Sequence, residues 1–239
     1  MRERRFLTES PLSGDTLRIS GDEYHHLKTV NRAKCGDSLE VINGQGSLFF
    51  GEIRAMKSNE ALVQVLKEEK SEKPPARVII AVSLLKQRPM NLLIEKLSEM
   101  GIDVIRPLIF TRTDEPYSPS RLKKWQRIAA QSLKVNKRLW QTEIYPPATL
   151  KELIQSPLPV NTKILLDISG TKPADIFQQV QFPVISVIGP PGDMTDQERQ
   201  FLIENRFTPY NISDCILKSE TAAMSIAAIL SYTSGSHGE

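Results

Sequence analysis

The stretch Val184–Glu198, VISVIGPPGDMTDQE, decides how the rest of the chain reads. Val184 to Ile188 is apolar except for Ser186, the composition of a strand buried on both faces. The run stops at Gly189-Pro190-Pro191-Gly192, where two prolines lack backbone N–H groups and two glycines accept dihedrals closed to other residues. Thr195, followed three residues on by Glu198, predicts a capping box and the start of a helix. Strand, rigid turn and helix form the arrangement in which an open α/β sheet presents a ligand site, beyond the carboxyl end of the strand. An ordinary βα connection satisfies the same pattern, so the remaining sequence has to separate the two.

Working outward, Val78–Leu85, Val104–Phe110, Lys163–Asp167 and Thr208–Ile212 predict further strands. Between them, Met90–Met100 has helical spacing and ends at Gly101. A helix from about Ser120 carries Leu122, Trp125, Ile128, Ala129 and Leu133 on one face, and Glu220–Tyr232 carries Ala223, Ile226, Ala227 and Leu230. Strands alternating with helices predict an α/β fold with a mostly parallel sheet covered on both faces. The N-terminal part differs. Thr16–Ile19, Ser38–Ile42, Leu48–Ile53 and Ala61–Leu66 read as short strands, with a hairpin turn at Asn43-Gly44 and one helix over Ser20–Val30 capped by Ser20. That pattern predicts a small barrel-like module. Lys67–Ala76, KEEKSEKPPA, has linker composition and divides the chain into domains at 1–70 and 76–239.

Composition narrows the function classes. No apolar run approaches the ~20 residues of a membrane span, and MRERRFLTES has no apolar segment behind it, so neither a span nor a signal peptide is expected. Cys35 and Cys215 lie far apart, which fits a reduced, cytoplasmic protein without structural zinc. His25-His26 point in different directions on a helix and do not make a metal site. No G-x-G-x-x-G follows any strand, which disfavours a nucleotide-dependent oxidoreductase. A net charge of +3 permits a nucleic-acid partner without requiring one.

A second unusual segment, Ile212–Thr221 (ISDCILKSET), puts polar residues in a turn and then Lys218, Glu220 and Thr221 at the mouth of an apolar helix. Ser219 reads equally as a simple helix cap, and Glu220 as a first-turn carboxylate favoured by the helix dipole.

Together, IGPPGDMTDQE and ISDCILKSETAA resemble the paired loops of the SPOUT methyltransferases. More narrowly, they are similar to the ribosomal RNA small subunit methyltransferase E type, which methylates a uridine N3 and whose loops usually read I-G-P-E-G-G and L-G-x-R-I-L-R-x-E-T-A. Arg5-Phe6, the run from His26 to Arg32, and Met90, Lys96, Glu99, Gly101, Pro107 and Arg112 fit the same family in order, as do Arg138, Glu143 and Pro146. The resemblance implies a small β-barrel PUA-like RNA-binding domain followed by a trefoil-knotted methyltransferase domain, working as a homodimer on ribosomal RNA or the small ribosomal subunit. It implies S-adenosyl-L-methionine held by Leu166, Ile188, Gly189, Pro190, Gly192, Ile212, Ser213, Ile216, Leu217 and Thr221. Catalytic roles would fall to Arg138, Lys218 and Glu220. RNA contacts would fall to Arg5, His26, Arg32, Arg112, Lys123, Lys124 and Arg127, with no metal. The chain departs from the pattern at Pro191 (for Glu), Asp193 and Ser213 (for Gly), Cys215 and Lys218 (for Arg), and Lys134-Val135 (for Glu-Gln). These departures leave a second expectation open: a catalytically reduced, RNA-binding protein that keeps the fold but has lost methyl transfer.

Overall fold

The computed structural model describes residues 5–156, 159–172 and 180–235. The chain divides into two compact units, one made of residues up to Pro74 with Ala130–Gln141, the other of Pro75–Ala129 with the residues from Thr142 onward.

The first unit is a five-stranded sheet of β1 (Arg5–Leu7), β2 (Thr16–Ser20), β3 (Ser38–Ile42), β4 (Ser47–Met56) and β5 (Glu60–Lys70), in the order β1-β3-β4-β5-β2. The Thr8 hydroxyl donates to the Arg18 carbonyl at 2.8 Å, drawing the two outer strands together and curling the sheet. Alternate residues, among them Phe6, Leu17, Ile19, Val41, Ile53 and Val63, fill the interior. Where one helix is predicted over Ser20–Val30, the structure has α1 (Gly21–His25) followed by a π-helical turn, His26–Val30. Ser20 occupies the N-cap without a side-chain bond. A segment this short is not carried by its own propensity; burial of Tyr24 and Leu27 sets its path.

The β3–β4 connection also differs from the predicted two-residue turn. The Asn43 side-chain oxygen accepts from the backbone N–H groups of Gln45 (2.8 Å) and Ser47 (3.1 Å), so Asn43 acts through its amide rather than through positive φ. Gly46 is required there, because a Cβ would lie 2.6 Å from the Trp140 ring. Strand β5 continues to Lys70, taking in the first part of the charged stretch read as a linker. Ladder hydrogen bonds do not depend on apolar side chains, and Lys67 pairs with Phe50 in register.

The second unit contains β6 (Val78–Ser83), α2 (Gln87–Glu99), β7 (Val104–Ile109), α3 (Pro119–Asn136, from Ala130 in the first unit), β8 (Glu143–Ile144), β9 (Ala148–Thr149) and α4 (Leu150–Gln155). These are followed by β10 (Thr162–Thr171), β11 (Val184–Ile188), α5 (Asp196–Glu204), β12 (Thr208–Tyr210) and α6 (Ser219–Gly235). Among the described residues these strands form a seven-stranded sheet in the order β12-β10-β11-β6-β7-β8, with β9 also on β7. Every pairing in it is parallel. Strands β6 and β11 are buried throughout, as their continuous apolar composition predicts. Ile80, Val82, Val184 and Ile188 face Leu93, Trp125 and Ile226 of the helices on one side. Ile79, Ala81, Ile185 and Val187 face Leu153 and Leu202 on the other. At roughly 1.5–3 kcal/mol for each fully buried aliphatic side chain, this double burial fixes the register of the central strands. No helix among the described residues is long and apolar enough to cross a membrane.

Candidate active site

The pairing of the neighbouring parallel strands β10 and β11 ends at Leu166 and Ile188, where β11 leaves the sheet while β10 runs on to Thr171 beside β12. After Ile188 the Asp193 N–H donates to the Pro190 carbonyl at 3.0 Å. With Pro191 second and Gly192 third at φ +87°, this is a turn of the type II kind, where proline presets one dihedral and glycine takes the positive φ. The turn ends at the predicted capping box. The Thr195 hydroxyl accepts from the Glu198 N–H (3.2 Å), and the Glu198 carboxylate accepts from the Thr195 N–H (2.8 Å). The segment after β12 comes back beside it, and the Ser219 hydroxyl donates to the Gly189 carbonyl at 2.8 Å. Asn211 ties that segment to β10, its side-chain N–H donating to the Ile168 carbonyl at 3.0 Å.

Between these segments lies an open cavity of about 320 Å³. Of the residues that the resemblance gives to a cofactor, Leu166, Ile188, Gly189, Gly192, Ile212, Ser213, Ile216 and Leu217 line it. Pro190 is buried within the turn and Thr221 is exposed on α6; neither is among the lining residues. Ile216 is 89% exposed, so it forms a rim rather than one side of a closed sandwich. Sequence reasoning missed Asp167, Asp193, Tyr210, Ser219 and Ala222, which also line the cavity. The signal for Asp167 was its place at the carboxyl end of a predicted strand.

The remaining candidates spread more widely. Lys218 is exposed and Glu220 half-buried, flanking Ser219 at the start of α6. Arg138 belongs to the first unit. Lys123, Lys124 and Arg127 are exposed along α3, and His26 and Arg32 are exposed in the first unit. Arg5 is engaged with Glu40, 2.8 Å away. Arg112, expected at an RNA surface, is exposed and donates to the backbone carbonyls of Gly192 (2.7 Å) and Asp193 (3.2 Å), which makes it a support of the cavity's turn. Lys134, where the family has an acidic residue, pairs with Glu23 at 2.7 Å. Among the described residues no group of three or more His, Cys, Asp or Glu is arranged to hold a metal ion.

Glu198 serves the turn twice. Beyond its cap, its carboxylate accepts from the Thr111 N–H at 2.6 Å. Burial by itself pushes the Glu198 carboxyl up, but the bonds from Thr111 and Thr195 outweigh it and hold the group below its ordinary 4.5. A depressed carboxyl stabilises the folded state above the unfolded value, and that contribution is lost as pH falls through the folded value. Glu198→Gln is therefore expected to lose about 1 kcal/mol at neutral pH, and its melting temperature should fall less steeply than wild type below about pH 4.5. Thermal melts at several pH values check this; parallel curves reject it.

A parallel sheet covered on both faces, with a cavity where β11 parts from β10, is an α/β fold that presents a ligand site beyond the carboxyl end of a strand. The structure of a ribosomal RNA small subunit methyltransferase E from Neisseria gonorrhoeae, bound to S-adenosyl methionine, superposes with a TM-score of 0.84 at 24% identity, covering 97% of this chain and 98% of that one. Residues 72–231 match the RNA methyltransferase domain family and residues 19–66 its RNA methyltransferase PUA domain, and the chain belongs to that family. Proteins named ribosomal RNA small subunit methyltransferase E are similar along most of their length. That of Aquifex aeolicus is 26% identical over 91% of this chain and 94% of its own, and that of Rickettsia conorii 26% identical over 100% and 99%.

Proposed function

We propose that this protein methylates the N3 of a uridine in the RNA of the small ribosomal subunit, with S-adenosylmethionine as methyl donor, as a cytoplasmic homodimer whose methyltransferase domain is knotted. The observation that carries this reading is the cavity. Its apolar residues Leu166, Ile188, Ile212 and Leu217 suit a planar base, and its exposed carboxylate Asp193 suits a ligand of net positive charge. The donor's chemistry thus fits the residues present. S-adenosylmethionine, when bound, supplies a methyl group already activated by its sulfonium. The protein's task is alignment and removal of the N3 proton.

Glu220, beside cavity-lining Ser219, is the proposed acceptor of that proton. Lys218 on the other side of Ser219 is proposed to hold a phosphate or a uracil oxygen, with Arg138 as a second anion contact. A base within structured RNA has to be unstacked before it reaches such a site. The exposed Lys123, Lys124 and Arg127 on α3 offer phosphate contacts that carry no sequence information, while His26 and Arg32 offer further contacts from the PUA-like unit.

The test is transfer of labelled methyl from S-adenosylmethionine to small ribosomal subunits lacking the modification, followed by mapping of the labelled base. Label at a single uridine N3 is expected. Binding of S-adenosylmethionine without any transfer would favour the RNA-binding alternative, and absence of both would overturn the reading.

A further inference from the structure

We propose that Arg199 is a positioning residue for the cofactor cavity: it bridges Asp167 on β10 and Asp193 in the turn after β11, on the two segments that part at the cavity wall. The inference rests on the S-adenosylmethionine reading above and extends it to a residue outside the cavity lining.

Arg199 lies in the first turn of α5, with its side chain 22% exposed. One guanidinium nitrogen pairs with Asp167 and donates to the Ser169 hydroxyl at 3.1 Å. The other lies 3.0 Å from the Asp193 carboxylate. Asp167 follows Leu166 in β10, just past the last pair with β11, and Asp193 closes the turn after β11. The Asp167 side chain is 2% exposed, and its second oxygen accepts from the Ser169 N–H at 2.8 Å and hydroxyl at 2.7 Å. Asp193 has φ +67°, a left-handed conformation that aspartate tolerates better than most residues but glycine adopts freely.

Two carboxylates on one cavity wall repel each other. A planar guanidinium fork satisfies both at fixed separation, which a single ammonium cannot do. The same fork holds Asp193 in its unusual backbone conformation. Its carboxylate also accepts from the Met194 N–H at 2.8 Å, while Arg112 grips the carbonyls of Gly192 and Asp193. Arg199 therefore sets the distance between β10 and the turn after β11, and the orientation of the exposed Asp193 carboxylate, the one of the two that meets a cationic ligand. The departure from glycine at 193 thus comes with its own partner four helical residues into α5.

Three variants test the inference by calorimetric titration with S-adenosylmethionine, by steady-state kinetics and by hydrogen exchange of the unliganded protein. Arg199→Met should weaken binding about tenfold and raise the KM for S-adenosylmethionine similarly, with kcat changed less than threefold. It should also speed exchange of the Gly192–Met194 amides. Arg199→Lys should fall between wild type and Arg199→Met. The double variant Arg199→Met with Asp167→Asn removes the unpaired buried charge and should recover thermal stability without recovering affinity. Affinity restored in the double variant would mean that Arg199 only neutralises charge, and unchanged affinity or unchanged exchange in Arg199→Met would equally overturn the inference. If wild type itself fails to bind, the cofactor reading falls, while the exchange measurement still decides whether Arg199 holds the turn.

Discussion

An Ala222→Trp variant should fold and fail to bind S-adenosylmethionine. Ala222 lies in the first turn of α6, half-buried, and lines the cavity between the two loop segments. Its methyl group marks how closely the helix approaches the ligand space. An indole at that position has few ways out, because Ala223 and Ile226 on the same helix are fully buried against the core. The new side chain should therefore occupy much of the ≈ 320 Å³. Competition of this kind is worth at least a hundredfold in Kd, about 2.7 kcal/mol. Calorimetry reads the affinity, and a thermal melt shows whether the fold persists. A folded variant with wild-type affinity would put the cofactor elsewhere in the molecule.

Glu220→Gln should lower kcat for methyl transfer by about a hundredfold, within the range found for removal of a positioned general base. The isostere keeps the size of the side chain at the start of α6 and removes only its ability to accept a proton, so affinity for S-adenosylmethionine should stay within about twofold. A distinct signature separates a base from a helix cap. As pH rises toward the range where uracil N3 ionises unaided, the variant should regain activity relative to wild type, since the substrate then arrives already deprotonated. A loss of rate that stays constant with pH would make Glu220 a structural carboxylate at the helix start, and undiminished kcat would remove it from the reaction.

The departures from the family loops acquire physical partners once the fold is known. Lys134 replaces an acidic residue and pairs with Glu23. Asp193 replaces a glycine, accepts the left-handed backbone conformation and is held by Arg199. Cys215 replaces an arginine and is exposed, its N–H donating to the Ser213 hydroxyl at 3.0 Å, so that position is a turn at the cavity rim rather than an anion grip. Gly192 and the capping box at Thr195 keep the turn itself intact, and the cavity is open. Rebuilding of the site's supports accounts for these changes better than decay does.

The strand from Val184 to Ile188, the proline turn and the start of α5 are determined by the sequence alone. Each is a local matter: an apolar run that excludes water, rings that fix φ, and a hydroxyl and carboxylate three residues apart that satisfy each other. The alternation of strands and helices likewise announces a parallel sheet before any contact is known. What the sequence does not specify is the second partner of each charged side chain. That Glu198 also accepts from Thr111, 87 residues away, that Arg112 supports Gly192, and that Arg199 joins two aspartates are results of packing. Ionic and hydrogen-bonding groups have no periodicity to betray their partners, and only the folded sheet, by placing β10 next to the exit of β11, brings those partners within reach.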